Sequence, residues 1–173
     1  EDVDSNYFPA IALDSANRPV VADSREGMND SLHVYRLVGG TWQEIGPPGY
    51  TQGAIQPDIA NTPGQEPIIT WAQNGNIYVL QWDGAAWTEF GAGSASGSGI
   101  SNGTGSASAP AIAMDSQGRP GIAWMEQLAG APDIEIFFRK WDGAQWIEYQ
   151  GSAGNGGVSD NSCYDERPRI IFN

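Results

Sequence analysis

Pro9-Ala10-Ile11-Ala12-Leu13-Asp14-Ser15 is the stretch that decides how this chain folds, because related segments return along the sequence. They begin at Pro57, Pro110 and Pro168, at intervals of 48, 53 and 58 residues. A second marker, a tryptophan that follows glycine by three residues and precedes glutamate by two, recurs at Trp42, Trp87 and Trp146. Two markers that recur in the same order indicate a repeated structural unit.

Each unit contains four short segments with the composition of β-strands, separated by glycine, asparagine and aspartate turns. Four-stranded antiparallel units of roughly 40–50 residues in series are typical of β-propeller blades. The sequence therefore predicts an all-β, β-propeller-like chain of about three four-stranded antiparallel blades plus one extra strand. Within a single repeat domain, 1–173, we place blade 1 at 9–46, blade 2 at 57–91, blade 3 at 110–151 and the surplus strand at 168–173.

The connections within and between units differ in how much their lengths vary. Turns between the first and second strands, and between the third and fourth, are nearly constant in length. The remaining connections vary, and 92–109, which is nearly all glycine, serine and alanine, is expected to be a flexible loop. In an up-and-down blade these variable connections lie on one face, where binding residues are usually placed.

Charge in this chain is sparse and one-sided, with 21 acidic and 8 basic residues and a net charge of −13. Such a chain repels phosphate on average, so we expect no nucleic-acid partner and no anionic membrane partner. No apolar run approaches the roughly 20 residues of a membrane span. The chain opens at Glu1 without a leader pattern, from which we expect a processed or cut extracellular product.

Metal and redox chemistry have few candidate residues. The one histidine, His33, and the one cysteine, Cys163, cannot form a zinc cluster or an intrachain disulfide, and Cys163 is either a free thiol or an interchain link. We expect no cofactor. Residues 2–6 have the oxygen spacing of a calcium loop without its glycine and final glutamate, so a looser calcium site stays open and metal ligands are unknown. Asn29 and Asn102 begin glycosylation sequons.

Two sequence patterns carry a resemblance to known families. The stretches 9–19 and 110–120 share P-A-I-A-[LM]-D-S-x-x-R-P, and 82–87 and 141–146 share W-D-G-A-x-W. On these patterns the chain resembles secreted bacterial β-propeller repeats of the sialidase-like, Asp-box-like kind. The second pattern is also similar to fucose-binding propeller lectins, small chains that assemble into a complete ring and pair an arginine with a glutamate against the sugar. That glutamate is absent here, so no sugar-binding residues are carried over.

Candidate ligand-binding residues lie where strands enter the variable face. Trp71 and Trp124 end the second strand of their units, and we predict that they stack on a ligand, with packing in the core as the alternative. The other candidates on this face are Tyr50, Tyr164, Glu126 and Arg25. The three repeated tryptophans, by contrast, are expected to pack between blades.

Catalytic residues are harder to place. Glycoside cleavage needs two carboxylates about 5–10 Å apart, and a sialidase-like enzyme also needs arginines that converge on a carboxylate. The loop carboxylates are those expected of a solvated acidic surface, and the arginines recur at no common blade position. We therefore assign no catalytic residue and expect that the chain is not an enzyme.

The number of blades leads to a prediction about assembly and function. Three blades and one strand are fewer than the roughly 4–8 blades of a closed ring. We predict self-association in which Pro168, Ile170 and Phe172 join a neighbouring subunit. The predicted function is a non-catalytic extracellular module that binds a glycan or another extracellular ligand and is completed by oligomerisation. A structural protein joined by its terminal strand and a fragment of a sialidase-like glycosidase stay open as alternatives.

Overall fold

The computed structural model of the chain describes residues 9–14, 16–25, 31–46, 52–61, 66–154, 156–159 and 167–173. Within these residues there are three four-stranded antiparallel sheets, and none of them forms a helix that could cross a membrane. Each sheet is a meander in which every strand pairs with its neighbour in sequence. The predicted all-β class with three four-stranded blades is confirmed.

The strands follow the repeat in the sequence. Blade 1 consists of β1 (Ala10–Leu13), β2 (Pro19–Arg25), β3 (Ser31–Val38) and β4 (Thr41–Glu44). Blade 2 consists of β5 (Ile55–Asn61), β6 (Pro67–Gln73), β7 (Asn76–Trp82) and β8 (Trp87–Glu89). Blade 3 consists of β9 (Ser106–Met114), β10 (Pro120–Gln127), β11 (Glu135–Trp141) and β12 (Trp146–Ile147).

Hydrophobic cores lie between neighbouring blades. The core between blades 1 and 2 includes Val20, Leu32, Val34, Ile59, Ile69, Trp71 and Leu80. The core between blades 2 and 3 includes Ile68, Ile77, Val79, Ile100, Ile112, Ile122, Trp124 and Phe137. Blade 2 is therefore covered on both faces, which explains why six consecutive residues of β6 are buried instead of every second one.

The first strands of the blades lie at the centre of the arrangement. β5 contacts β1 on one side and β9 on the other, and it also packs beside β2. The fourth strands carry the repeated tryptophans and lie at the outer rim, where the Trp87 indole donates to the carbonyl of Gly46 at 3.0 Å and the Trp146 indole to that of Phe90 at 3.0 Å. Residues at the start of the first strands are thereby brought together at the axis.

The repeated proline marks a β-bulge at the start of the first strand. Gln56 and Pro57 together lie opposite Trp71, and Ala109 and Pro110 lie opposite Trp124, because the ladder shifts register at these points. Gln56 and Ala109 have φ values of 53° and 47°. Proline has no N–H for a ladder, so a bulge is one of the few places in a sheet where it fits.

Residues 167–173, predicted as an extra strand, form no ladder with any strand that the structure describes. The segment runs along blade 3: the Arg167 main-chain N–H donates to Met125 Sδ at 3.0 Å, and the Phe172 ring packs against Gly121 at the other end of β10. β9 lies beside β6 of blade 2 in the corresponding way. The segment thus lies where a further first strand would be, without strand partners in the described chain.

The glycine-, serine- and alanine-rich stretch that we expected to be flexible is held to blade 2 by hydrogen bonds. The Val79 N–H donates to the Ser94 carbonyl at 2.9 Å, and the Ile100 N–H donates to the Ile77 carbonyl at 2.8 Å. The Ser94 hydroxyl donates in turn to the Val79 carbonyl at 2.9 Å. The expectation failed because low side-chain complexity was read as flexibility, although main-chain groups and serine hydroxyls of this stretch supply the bonds.

Candidate functional site

The proline-led segments converge on a cavity of about 550 Å³ at the axis. Its walls are corresponding positions of the four repeats, which begin at Pro9, Pro57, Pro110 and Pro168. Because it lies where the first strands begin, the cavity opens on the face that carries the variable connections. Pockets for small ligands have volumes of roughly 300–1,000 Å³, so this cavity is large enough for a small molecule.

The residue that follows the repeated proline differs between units. It is alanine in blades 1 and 3, Asp58 in blade 2 and Arg169 in the C-terminal segment. All four of these residues line the cavity. The same position of the repeat therefore contributes two methyl groups, one carboxylate and one guanidinium to the cavity wall. The axial cavity for this reason lacks the symmetry of the repeat.

Asp58 connects blades 2 and 3 at the cavity wall. Its Oδ1 accepts the N–H of Ile59 at 2.9 Å, and its Oδ2 accepts the N–H of Ile112 at 2.9 Å. Burial raises the pKa of Asp58, while these two hydrogen bonds and the charge of Arg169 oppose the rise. The carboxyl group is therefore both a structural link and an ionisable group at the cavity.

Gln56 makes a second link between the same two strands. Its Oε1 accepts the N–H of Ala109, the residue at the corresponding bulge of blade 3, at 2.8 Å. Arg167 occupies the same position before its proline and has a φ of 41°, close to those of Gln56 and Ala109. The Gln56 bond from one bulge to the next and the Asp58 bond to Ile112 thus fix the spacing of blades 2 and 3 at the cavity.

The two tryptophans predicted to stack on a ligand lie in the cores between blades. Trp71 is stacked on Tyr78 with ring centroids 5.6 Å apart, and Trp124 is stacked on Phe137 at 6.0 Å. Both are among the most completely buried side chains in the described chain. Core packing, the alternative that the sequence left open, is the role that the structure shows.

Glu126 is also buried and serves Trp124. Its Oε2 accepts the Trp124 indole N–H at 2.8 Å, and Gly103 and Gly105 pack against the carboxylate. Gln73 does the same for Trp71 in blade 2, where the indole donates to its Oε1 at 3.0 Å. Because the neutral amide of Gln73 fills the same role in blade 2, Glu126 is explained by the need of a buried indole N–H for a hydrogen-bond acceptor.

The remaining predicted site residues are not brought together by the described structure. Tyr50 and Tyr164 lie outside the described residues, and for Arg25 only the backbone at the end of β2 is described. Pro168 and Ile170, predicted to join subunits, line the axial cavity. Phe172 lies beneath the Lys140 ammonium, 4.7 Å from the ring centroid, and its role in assembly stays a prediction.

A second, smaller cavity of about 310 Å³ lies at the rim between blades 2 and 3. Arg139, Gln145 and Trp141 contribute to one wall, and the loop that includes Asn102 contributes to the other. Among the described residues there is no group of three or more histidine, cysteine, aspartate or glutamate side chains placed to hold a metal ion. The axial cavity is the larger of the two and combines charges of both signs with apolar walls.

The fold is shared with solved β-propeller proteins, whereas no family model and no curated protein sequence matches the chain. The α-L-arabinanase of Penicillium chrysogenum, solved with arabinobiose, has a TM-score of 0.57 at 14% identity over 82% of this chain and 47% of that one. The GH93 α-L-arabinofuranosidase of Fusarium graminearum has a TM-score of 0.56 at 14% identity, over 84% and 50%. A fucose lectin from Kordia zhangzhouensis, solved with methyl-fucoside, has a TM-score of 0.52 at 18% identity, over 82% and 97%.

These likenesses confirm the β-propeller class of the fold. The chain spans about half the length of the two enzymes. The sialidase-like kinship and the extracellular location remain predictions from the sequence.

The prediction that the chain is not an enzyme is contradicted by these neighbours, because an arabinanase and an arabinofuranosidase have the same fold. The sequence argument required catalytic groups to recur at one blade position. At the axis, however, each blade contributes a different residue to one shared site, so groups there need not recur.

The residues that sequence reasoning missed are Gln56 and Asp58. Arg167 and Arg169 were weighed only among the arginines that recur at no common blade position. The signal was available in the alignment of the repeats, since Asp58 and Arg169 replace the alanine that follows proline in the other units. What could not be read from it was that these positions meet across the axis.

Proposed function

We propose that this chain is a carbohydrate-binding β-propeller unit that takes a saccharide in its axial cavity. The observation that carries the proposal is the cavity itself, where four repeats converge and place a carboxylate and two arginines among alanine, proline and isoleucine side chains. Sugars present hydroxyl groups beside apolar C–H faces, and this mixture of charged and apolar groups suits both. The saccharides bound by the similar arabinanase and lectin support the same class of ligand.

Glycoside cleavage is a second candidate function, and Asp58 favours it. A carboxyl group whose pKa is raised by burial is the usual form of a general acid in glycosidases. Asp58 is the one carboxylate among the described residues that line the cavity. A cleavage mechanism would therefore need its second carboxylate or its base from elsewhere.

Saccharide binding is tested with a substitution that fills the cavity with a large side chain and removes no side-chain hydrogen bond. Ala10→Trp places a large ring at the axial wall, where Ala10 also packs against the core between blades 1 and 2. Ala12→Trp makes the same change two residues further along β1, against the same core but outside the cavity lining. Binding is measured by isothermal titration calorimetry with arabinobiose, methyl-fucoside and trigalacturonate. We expect Ala10→Trp to weaken binding at least tenfold, whereas Ala12→Trp, which disturbs the same core, has a much smaller effect, because only the first ring occupies the ligand's volume.

Two outcomes would contradict the proposal. Absence of binding to all three saccharides would remove its basis, and equal loss in both tryptophan variants would place the site elsewhere. Chromatography of the same mixtures after long incubation detects cleavage, and products lost in Asp58→Asn would favour the second candidate.

A further inference from the structure

We propose that Ser31, His33 and Glu44 form a hydrolytic site for carboxylic esters, in which Ser31 is the nucleophile. The three side chains lie on the face of blade 1 that points away from blade 2, and no other described blade covers this face. None of the three lines the axial cavity. Their chemistry is therefore separate from saccharide binding in that cavity.

Strand pairing brings the three side chains together. Successive side chains of a strand point to opposite faces, so Ser31 and His33 project together from β3, while Leu32 between them enters the core with blade 2. Glu44 lies opposite Tyr35 in the ladder between β3 and β4, two residues from His33. A hydroxyl on the same strand and a carboxylate on the neighbouring strand thus flank one imidazole.

His33 contacts the other two residues through different ring nitrogens. Its Nδ1 lies 2.6 Å from Glu44 Oε1, and its Nε2 lies 2.9 Å from Ser31 Oγ. A carboxylate only accepts hydrogen bonds, so Nδ1 of the neutral ring carries the proton and Nε2 accepts the Ser31 hydroxyl. In this arrangement a base activates a serine while a carboxylate orients the base.

The construction of a blade does not require these residues. At the place of His33, blades 2 and 3 have Tyr78 and Phe137, each stacked on a buried tryptophan. Glu89, which corresponds to Glu44 in blade 2, accepts main-chain N–H groups of the segment that follows it. Blade 1 departs from the repeat at both positions, and the two departures together create the contact between imidazole and carboxylate.

The three side chains are also accessible from solvent. The exposed fractions of the His33 and Glu44 side chains are 21% and 38%, and Ser31 is half-buried. The Tyr35 ring lies nearly parallel to the His33 ring, with an angle of 12° between their planes. A nucleophilic serine must be both activated and reachable, and Ser31 meets both conditions.

The reaction begins when Ser31 Oγ attacks the carbonyl carbon of the ester and its proton passes to His33 Nε2. The bond from the carbonyl carbon to the alcohol oxygen breaks, and the alcohol leaves with that proton. Water then attacks the acyl-serine and gives a proton to His33 Nε2, which returns it to Ser31 Oγ as the carboxylic acid departs. One ester and one water are consumed, and one acid and one alcohol are formed.

The first test is labelling of the full chain with a fluorophosphonate, which bonds through phosphorus to an activated serine oxygen and releases fluoride. Peptide mass spectrometry measures labelling at Ser31 and at every other serine. We expect Ser31 to react about 100-fold faster than the other serines, and His33→Gln to abolish this excess. Hydrolysis of p-nitrophenyl acetate should fall at least about tenfold in Ser31→Ala, whereas Ser116→Ala, at an exposed turn, should leave it unchanged.

Glu44 is a positioning residue, so its role is measured on the imidazole. His33 is the one histidine of the chain, and nitrogen-15 NMR in alkaline buffer reports which of its ring nitrogens carries the proton. We expect the Nδ1–H form in the wild type and in Ser31→Ala. Glu44→Ala should lose this preference and slow the labelling of Ser31.

Two results would overturn the proposal: labelling of Ser31 no faster than that of other serines, or a fast rate that persists in His33→Gln. Both measurements are repeated in Ile11→Asp, which places a charge at a 66% exposed position of the same face and opposes its coverage by another copy. Selective labelling in either protein supports the proposal, and its absence from both overturns it. Saccharide binding in the axial cavity is measured separately and does not depend on this result.

Discussion

Three polar positions change together from blade to blade around the turn between the first and second strands. In blades 1 and 3 an aspartate accepts bonds from an arginine four residues on and lies close to a cation on the third strand, whereas blade 2 has no such charge cluster. The sets are Asp14, Arg18 and Arg36; Asn61, Glu66 and Gln81; and Asp115, Arg119 and Lys140. The aspartate and its two cations occur together in blades 1 and 3 and are all replaced in blade 2. This pattern indicates that a buried aspartate at this position needs both cations as partners.

Asp115 gives the clearest consequence for stability. Its Oδ2 lies 2.7 Å from Lys140 Nζ and 2.9 Å from Arg119 Nε. Burial alone would raise the pKa of Asp115, but the hydrogen bonds from Lys140 and Arg119 outweigh it and hold the pKa well below its ordinary value of 3.8. The carboxylate therefore stabilises the fold fully above that value and loses its contribution as the pH falls further, through the folded-state pKa.

We predict that Asp115→Asn lowers the free energy of unfolding at pH 7 by about 1–3 kcal/mol, because two cations lose their charged partner. The difference from the wild type should shrink below about pH 4, where the wild-type carboxylate begins to lose its own contribution. Urea denaturation followed by tryptophan fluorescence at several pH values measures both. Glu148→Gln, at an exposed carboxylate of the same blade, is the control. A loss at pH 2 as large as at pH 7 would contradict the mechanism.

At the scale of elements, the segments that follow the fourth strands of blades 2 and 3 are a repeat in their own right. Residues 93–101 and 151–159 share the pattern G-S-A-x-x-x-G-[IV]-S. Both lie along the third strand of their blade: the N–H groups of Val79 and Phe138 donate to the carbonyls of Ser94 and Ser152 at 2.9 and 2.8 Å. These segments extend the blade edge beyond the short fourth strand.

Gly99 shows why this element needs glycine. It has a φ of 57°, and a Cβ at this position would collide with the carbonyl oxygen of Ile77. Gly157 repeats the arrangement against Ile136. Gly97 has a φ of 58° and nothing within 4 Å of the place a Cβ would occupy, so it has the same conformation without the close approach.

We predict that Gly99→Ala destabilises the protein by about 2–4 kcal/mol, because the collision adds to the cost of a left-handed residue. Gly97→Ala should cost only about 1 kcal/mol, the conformational part alone. Urea denaturation of the two variants at one pH measures the difference. Equal losses of unfolding free energy in the two variants would mean that the segment moves away from Ile77 at little cost and is not packed as described.

On the scale of the whole molecule, blades 1 and 3 expose positions that are buried where blades meet. Ile100, between blades 2 and 3, is 2% exposed, whereas Val158 at the corresponding place on blade 3 is 59% exposed. Ile59 and Ile112 are 5% and 7% exposed, whereas Ile11 on blade 1 is 66% exposed. The described chain therefore has two open faces, each with apolar residues that a further blade would cover.

The open face of blade 1 differs from its counterparts in polarity. Asp23 and His33 stand at the positions of Trp71 and Tyr78 in blade 2. His33 Nδ1 contacts Glu44 Oε1 at 2.6 Å, so part of this face is satisfied within the blade. The apolar positions that remain exposed are near the axis, at Ile11 and Leu13, and at the rim, at Trp42.

We predict self-association through these open faces, since the sequence and the exposed positions lead to the same expectation. Light scattering should give a mass of more than one chain, and Ile11→Asp should reduce it to one by placing a charge in the contact. Ile55→Asp, at a 48% exposed isoleucine within blade 2, is the matched control. Removal of 167–173 tests whether the C-terminal segment contributes, and a single-chain mass for the wild type at all concentrations would contradict the prediction.

Much of the fold could be predicted because blade structure is local. The proline-led segments, the turn residues and the repeated tryptophans recur at fixed places, and each predicts a strand or turn without knowledge of the others. The bulge at Pro57 and Pro110 was missed because a bulge is a property of two paired strands. The order in 93–101 was missed because its main-chain groups and serine hydroxyls bond to a strand some fifteen to twenty-four residues away in the sequence.

The candidate site could not be predicted in the same way. The repeat specifies that Asp58 and Arg169 are equivalent within their units, but equivalence in sequence says nothing about which neighbours they meet. The packing of blades side by side brings the starts of the first strands to one axis, and the same packing covers Trp71 and Trp124. Strand pattern and turn chemistry therefore follow from the order of residues, whereas burial and the axial cavity arise from contacts between blades, since these depend on long-range arrangement that no single repeat contains.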